Sequence, residues 1–268
     1  MQHYDFIFVV LCYKNTKDII LFLNSLKNVK GTYKVVIVDG FSSEEVKNTL
    51  SNIAEKNNCD FMSIPNKGYS YGNNQGIEFA RRHYDFEFIV VSNPDIEIQN
   101  LNIDHIRKYN NKIIGPYIEN LTGKHQNPYR TGAFLSLIMK MMYKSYKDGV
   151  DFPKWIVIAI NKIFRELMNI RAFLLQSNYL KVFALHGSFI LFGRSALEAL
   201  GTAFDANMFL FNEEDYVAFW ARQNHVTLYY CPKERVLHHE DGSMSLSNIN
   251  QDMYKQSFLY VYDKFCKK

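Results

Sequence analysis

Apolar positions in the first half of the chain come in short unbroken runs, and the stretches between them repeat at helical period. The runs are Phe6 to Cys12, Lys34 to Val38, Cys59 to Ile64 and Phe86 to Val91. Strands buried on both faces read this way, without an exposed alternation. Thr16 to Leu26, Ser43 to Asn57 and Asn73 to Tyr84 read as the intervening helices. Thr16 and Ser43 are placed to cap two of them, and Glu44 and Glu45 suit the positive end of the second. Strand and helix in alternation predict an α/β fold, a mainly parallel central sheet flanked by helices.

Strand character returns at Phe189 to Phe192 and at Thr227 to Tyr230. Between the halves, Ala133 to Lys181 differs in texture. Met139, Met141, Met142, Tyr143 and Tyr146 stand among lysines, and Ile163, Phe164, Leu167 and Ile170 follow at helical spacing. The charges there are mostly basic: Lys140, Lys144, Lys147, Lys154, Lys162, Arg165, Arg171 and Lys181. Two structures fit this pattern, an interfacial helix on an anionic bilayer or an amphipathic insert packed on its own domain. No repeat, low-complexity tract or linker divides the sequence, so 1–268 is read as one domain with a helical insert at 133–181.

Composition narrows the class. With 268 residues and 47% hydrophobic side chains, the chain can bury a large core. A net charge of +4, with both signs mixed along the sequence, offers no stripe for nucleic acid. Cys12, Cys59, Cys231 and Cys266 form no CxxC pair, and the N-terminus lacks a basic signal region, which predicts reduced thiols in a cytoplasm. No run reaches the roughly eighteen apolar residues that span a bilayer. Membrane contact, if present, is therefore peripheral, and an inner membrane's cytoplasmic face is the surface the insert would meet.

Ligands of open α/β sheets bind beyond the carboxyl ends of the strands. Tyr13, Asp39, the loop Asn66 to Gly72, and Asn93 to Asp95 all fall there. Neither GxGxxG nor GxxxxGK[ST] occurs, which disfavours dinucleotide and P-loop chemistry. Asp39, followed by Gly40, can accept hydrogen bonds from a base or ribose, or can simply form a turn. Asn66 to Gly76 holds three glycines and three asparagines before a predicted helix, a setting for an anionic or sugar ligand, with Asn66, Gly68 and Asn73 as contacts. Asp95 closes a Val-Val strand end, and one carboxylate suffices for Mg²⁺ or Mn²⁺ when substrate phosphates supply other ligands. His238 can complete that shell or bond a diphosphate. Glu213, Glu214 and Asp215 open an aromatic helix beside Met208 to Phe211. Helix capping accounts for one or two of these acids. A third beside so apolar a segment suggests a carboxylate raised toward base duty, Glu214 or Asp215.

Taken in order, these segments resemble the inverting family 2 glycosyltransferases of the GT-A fold, particularly the bacterial surface-polysaccharide rhamnosyl- and galactosyltransferase branch. The matching pieces are Val9 to Asn15, Ile37 to Asp39, Asn66 to Gly76, Ser92 to Asp95, Leu185 to Phe189, the Phe204-Asp205 turn, Phe209 to Asp215 and Val236 to Ser243. The resemblance implies a nucleotide-sugar-binding half at 1–100 and an acceptor and catalytic half at 182–268. It implies that Asp39 holds the nucleoside, Asp95 ligates a cation on the donor diphosphate, His238 supports that diphosphate or metal, and His186, Gly187 and Ser188 line the acceptor side. Glu214 or Asp215 would be the base.

The implied donor is a UDP-, dTDP- or GDP-sugar, and the implied acceptor a glycan or lipid-linked glycan. The family's aspartate-x-aspartate motif is here reduced to Asn93-Pro94-Asp95, and the insert matches no shared motif. Two rival classes are a sugar nucleotidyltransferase and a non-catalytic, membrane-docked scaffold of the same fold. The first ordinarily carries a glycine-rich basic loop after its first strand, and Val9 to Asn15 has no glycine and one lysine.

Overall fold

The computed structural model describes residues 1–132, 134–149, 152–174, 179–240 and 248–267. Its first half alternates strand and helix: β1 (Gln2–Cys12), α1 (Asp18–Ser25), β2 (Val29–Lys30), β3 (Tyr33–Gly40), α2 (Glu44–Lys56), β4 (Asp60–Ile64), α3 (Tyr69–His83) and β5 (Tyr84–Ser92). There follow β6 (Ile96–Asn102), α4 (Ile103–Ile106), β7 (Ile113–Asn120), α5 (Leu135–Asp148), α6 (Phe152–Leu174), β8 (Leu180–Val182), β9 (Phe189–Gly193), α7 (Arg194–Leu200), α8 (Glu213–Gln223), β10 (Leu228–His238) and α9 (Asn248–Phe265).

One sheet runs through the molecule in the order β2-β6-β10-β7-β9-β5-β1-β3-β4, with β8 added on β10. The expected parallel arrangement holds for β5, β1, β3 and β4. Beyond β5 the sheet is mixed, because β9 pairs antiparallel with both β5 and β7. Alternate residues of β1 serve opposite faces. Phe6, Phe8 and Val10 join the core beneath α1 and α2, while Ile7 and Val9 join the core beneath α3, α7 and α8. A strand covered on both sides has no polar face, which is why its sequence is apolar throughout.

Two local expectations are corrected. Thr16 does not cap α1; the preceding Asn15 Oδ1 accepts from the Lys17 amide at 2.8 Å instead. Ser43 does cap α2, accepting from the Val46 amide at 3.3 Å. The glycine tract is not a ligand loop over most of its length, because α3 begins at Tyr69 and takes in Gly72, Asn73 and Gly76. A Cβ at Gly72 would lie 2.6 Å from Leu11, and one at Gly76 would lie 2.3 Å from Val9. The glycines let the helix backbone sit directly on β1. Glycine lowers helix propensity, so the sequence alone shifted the predicted start of α3 down to Asn73.

Candidate active site

The antiparallel insertion of β9 builds the site. Its register sets Phe189 opposite Ser92, so the segment before β9 meets the turn after β5, and the Asn93 amide donates to the Ser188 carbonyl at 2.8 Å. At its other end, β10 brings His238 opposite Ile96, just past Asp95. Here lies a cavity of about 320 Å³ whose lining includes Asn93, Asp95, His186, Gly187, Ser188, Glu213, Glu214 and His238. Tyr69, Tyr129, Leu210, Phe211, Asn212, Glu240 and Tyr254 complete it.

The carboxylates enter through a bent backbone. Phe211 and Asn212 both adopt left-handed φ, 74° and 63°, immediately before α8. Two consecutive non-glycine residues in that region are costly and need outside support. Asn212 has it: its Nδ2 donates to the Tyr254 carbonyl at 3.0 Å, and its own carbonyl accepts from the Tyr216 amide. The bend lets α8 begin abruptly, with Glu213, Glu214 and Asp215 in its first turn, where the helix dipole favours negative charge.

The three acids have separate surroundings. Asp215 is fully buried, and Arg130 bonds both its oxygens, Nε to Oδ1 at 2.6 Å and Nη2 to Oδ2 at 2.8 Å. Both its oxygens are thus occupied, and it is absent from the cavity lining. Glu214 faces the cavity, where Oε1 accepts from the Gly187 amide at 3.1 Å. Burial holds its carboxyl above the ordinary range. Glu213 is likewise pushed up, by burial and then by the charge of Glu214, and its Oε1 has no hydrogen-bond partner. Acids raised in this way hold a proton to higher pH than an exposed carboxylate does.

Gly187 is engaged at both ends, since its carbonyl accepts from the Tyr69 hydroxyl at 2.8 Å. A Cβ on Gly187 would lie 2.9 Å from Glu214 Oε1. That atom ends a flexible side chain, so Gly187→Ala is expected to fold with a small loss of melting temperature while driving Glu214 off its amide. Thermal melts and initial rates on the same preparation check this; full activity in a folded variant would show that the position of Glu214 does not matter.

The histidines are distinct. His186 Nδ1 accepts from the Ser188 amide at 3.3 Å, which leaves the proton on Nε2. Burial, with His238 nearby, depresses its pKa to about 3, so the ring stays neutral. His238 Nδ1 meets Gln126 Oε1 at 2.8 Å, and Gln126 Nε2 in turn donates to Glu240 at 2.7 Å. A carboxylate can only accept, so the amide orientation follows, and with it Nδ1 as the donor of His238. Its Nε2 therefore faces Asp95 Oδ1, at 3.3 Å. That oxygen is buried with no hydrogen-bond donor. The Nε2 of a neutral His238 ring and an orphaned carboxylate oxygen so placed would fit a cation whose remaining ligands come from substrate and water. Among the described residues, no group of three His, Cys, Asp or Glu side chains forms a metal-binding cluster.

Comparison with known proteins agrees with this architecture. No family model matches the chain. Over 265 residues it is 25% identical to the low-salt glycan biosynthesis hexosyltransferase Agl10 of Haloferax volcanii, covering 97% of this chain and 73% of that protein. Among solved structures, GalNAc-T7 with UDP, GalNAc and Mn²⁺ superposes with a TM-score of 0.61 at 12% identity over 97% of the chain. S. aureus TarS superposes with a TM-score of 0.57 at 13% identity, also over 97%. The fold is that of the GT-A glycosyltransferases. The chain spans only 48% of the GalNAc-T7 chain and 44% of the TarS chain.

Within this GT-A frame the remaining predicted residues stand apart from the cavity but on the same sheet edge. Cys12 is paired with Asp39, and Val10 with Ser92, so Tyr13, Asp39 and Asn93 emerge side by side from adjacent strands. At about 4.8 Å per strand, β3 and β5 lie roughly 10 Å apart. Tyr13 is half exposed. Asp39 is buried, its Oδ2 accepting from the Ser63 hydroxyl at 2.7 Å while Oδ1 has no partner, and burial raises its carboxyl.

Asn66 accepts from the Gly68 amide at 3.1 Å. Gly68 has φ of 96°, and a Cβ there would lie 2.2 Å from the Phe209 carbonyl, so the position is reserved for glycine by close packing. Asn73 is fully buried within α3, and its Nδ2 donates to the Tyr69 carbonyl at 3.0 Å. Arg130, Gln126 and Tyr254 went unnoticed in the sequence because nothing near them in the chain marks them. The Asp241 to Ser243 part of the closing His segment lies outside the described residues.

Proposed function

We propose that this chain is an inverting, family 2-like glycosyltransferase that moves a hexose or related sugar from a nucleotide-diphosphate donor to a hydroxyl of a glycan or lipid-linked glycan acceptor, in surface-glycan synthesis. The observation that carries this is the Glu214 carboxylate, raised by burial and held on the Gly187 amide in a cavity that also presents Asp95 and His238. Support also comes from the hexosyltransferase relative and from the unpartnered Asp39 oxygen at the sheet edge.

Glu214 takes the proton of the acceptor hydroxyl as its oxygen attacks the anomeric carbon. The bond from that carbon to the diphosphate oxygen breaks, and nucleoside diphosphate leaves from the opposite face, with inversion. His186, neutral throughout, offers its Nε2–H to acceptor or donor hydroxyls, and the Gly187 and Ser188 backbone fixes the wall beside it. Holding two substrates in one cavity removes the entropic cost of their encounter. Asp95 and His238 would hold Mg²⁺ or Mn²⁺, which when bound offsets charge on the departing diphosphate.

A thermal-shift panel of UDP-, dTDP- and GDP-sugars, with and without Mn²⁺, tests the donor half. Saturation at about a hundredfold over Kd is expected to raise the melting temperature by about 5–10 °C for one nucleotide series. UDP-sugars come first, since the GalNAc-T7 structure holds UDP with Mn²⁺. Asp95→Ala should abolish the metal-dependent part of the shift and leave the metal-independent part. No response to any sugar nucleotide would overturn the proposal.

A further inference from the structure

The helical insert has two faces with different fates. The inner face of α6 packs on the domain: Val157 and Ala172 are buried, Asn161 Nδ2 donates to the Tyr129 carbonyl at 2.8 Å, and the Tyr230 hydroxyl donates to Asn169 Oδ1 at 2.8 Å. The outer face is apolar and open. Trp155, Ile163, Leu167, Ile170 and Leu174 are between 54% and 71% exposed. At 3.6 residues per turn they occupy one sector about 120° wide. Lys162 falls on one border of that sector and Arg171 on the other, both exposed. Beside α6, α5 adds exposed Leu137 with Lys140, Lys144 and Lys147. Across the described part of both helices those five cations are exposed; of the acids, Asp148 is exposed and Glu166, on α6, is half-buried and paired with His125 at 2.8 Å. Among the described residues no helix is long and apolar enough to cross a membrane.

We propose that the outer face of α6 docks this protein on an anionic lipid bilayer, with the helix lying in the plane of the headgroups. An apolar sector bordered by cations matches such a surface in both layers: the side chains enter the acyl boundary, and Lys162, Arg171 and the α5 lysines meet acidic headgroups. A soluble protein partner would supply apolar cover but no reason for so one-signed a border. Docking has a consequence for the site. α6 holds Tyr129, which lines the cavity, so a bilayer against α6 lies one helix thickness from the acceptor wall. A diffusional search in three dimensions becomes one along the surface for an acceptor anchored in lipid. Docking itself does not depend on the proposed catalysis.

Flotation of the full chain with vesicles of phosphatidylcholine, and of phosphatidylcholine with phosphatidylglycerol, tests this. The protein is expected to float with the anionic vesicles and less with the neutral ones, and Trp155 emission to shift to the blue, a shift absent in Trp155→Phe. Ile163→Glu with Ile170→Glu alters only exposed positions, so melting should be unchanged while flotation falls at least tenfold. Replacing Lys140, Lys144 and Lys147 by serine should weaken binding to anionic vesicles by on the order of a hundredfold and leave the neutral ones unaffected. Failure to float with either vesicle would overturn the proposal. So would flotation that survives the double glutamate variant, or a dimer in sedimentation velocity that this variant dissociates, since a second copy would then be what covers the face.

Discussion

Glu214→Gln is expected to lower sugar transfer by a factor of about 10²–10⁴, the usual range for loss of a general base, while sugar-nucleotide binding stays intact. The substitution keeps the size of the side chain and removes the group proposed to take the proton. The Gly187 amide that now donates to Glu214 Oε1 can still donate to the glutamine oxygen, so the fold should be unaffected.

The pH profile supplies an independent check. Burial raises the Glu214 carboxyl. The base works ionised, so activity should fall as pH drops through that raised pKa, at a pH above the point where an ordinary exposed carboxylate would protonate. In Glu214→Gln that acid limb should vanish from the residual rate. Steady-state rates against pH for both proteins, with the thermal response to donor measured in parallel, decide it. A variant that turns over normally removes Glu214 from the mechanism; one that also loses donor binding assigns it to the donor instead.

Asp215→Asn is expected to act on stability. Arg130 and Asp215 are both buried and share two hydrogen bonds, and the Arg130 backbone also bonds Phe183 and Ala184. Neutralising the acid leaves a guanidinium buried without its counter-charge, a defect of about 3–5 kcal/mol. For a domain of this size, that lowers the melting temperature by roughly 10 °C. Arg130→Met should cost a similar amount by stranding the carboxylate. The double variant Arg130→Met with Asp215→Leu should recover most of the loss, because a well-packed apolar pair avoids the desolvation of both charges.

Rates normalised to the folded fraction separate structure from chemistry. If Asp215→Asn melts normally and has lost turnover, the base is Asp215 and the ion pair is incidental. The expected result is the reverse, with the ion pair anchoring the first turn of α8 so that Glu214 points into the cavity. The same arrangement accounts for the run of three acids: two face the cavity, and the third ties the helix down.

What could be read from residues alone was whatever depends on neighbours in the chain. The apolar runs around Phe8, Val36 and Val90 identified buried parallel strands, because a strand covered on both faces needs no polar alternation. Ser43 announced α2 through a hydrogen bond spanning three residues. Asp39 and Asp95 were placed at strand ends because a strand's end is itself a local event. Local propensity misled at α3, where Gly72 and Gly76 resemble a loop until β1 is seen pressed against them.

Only the tertiary structure decided the rest. The antiparallel seat of β9 between β5 and β7 joins Ser188 to Asn93, and no periodicity encodes which strand a segment will choose. Asp215 could be told from Glu214 only once Arg130, distant in sequence, was found bonding both its oxygens. The orphaned oxygen of Asp95 facing His238, and the open apolar face of α6, are likewise facts about what lies nearby in space. Hydrophobic pattern sets which segments are strands and helices; desolvation and charge pairing, which set the reactivity of a side chain, depend on contacts that exist only after the chain has folded.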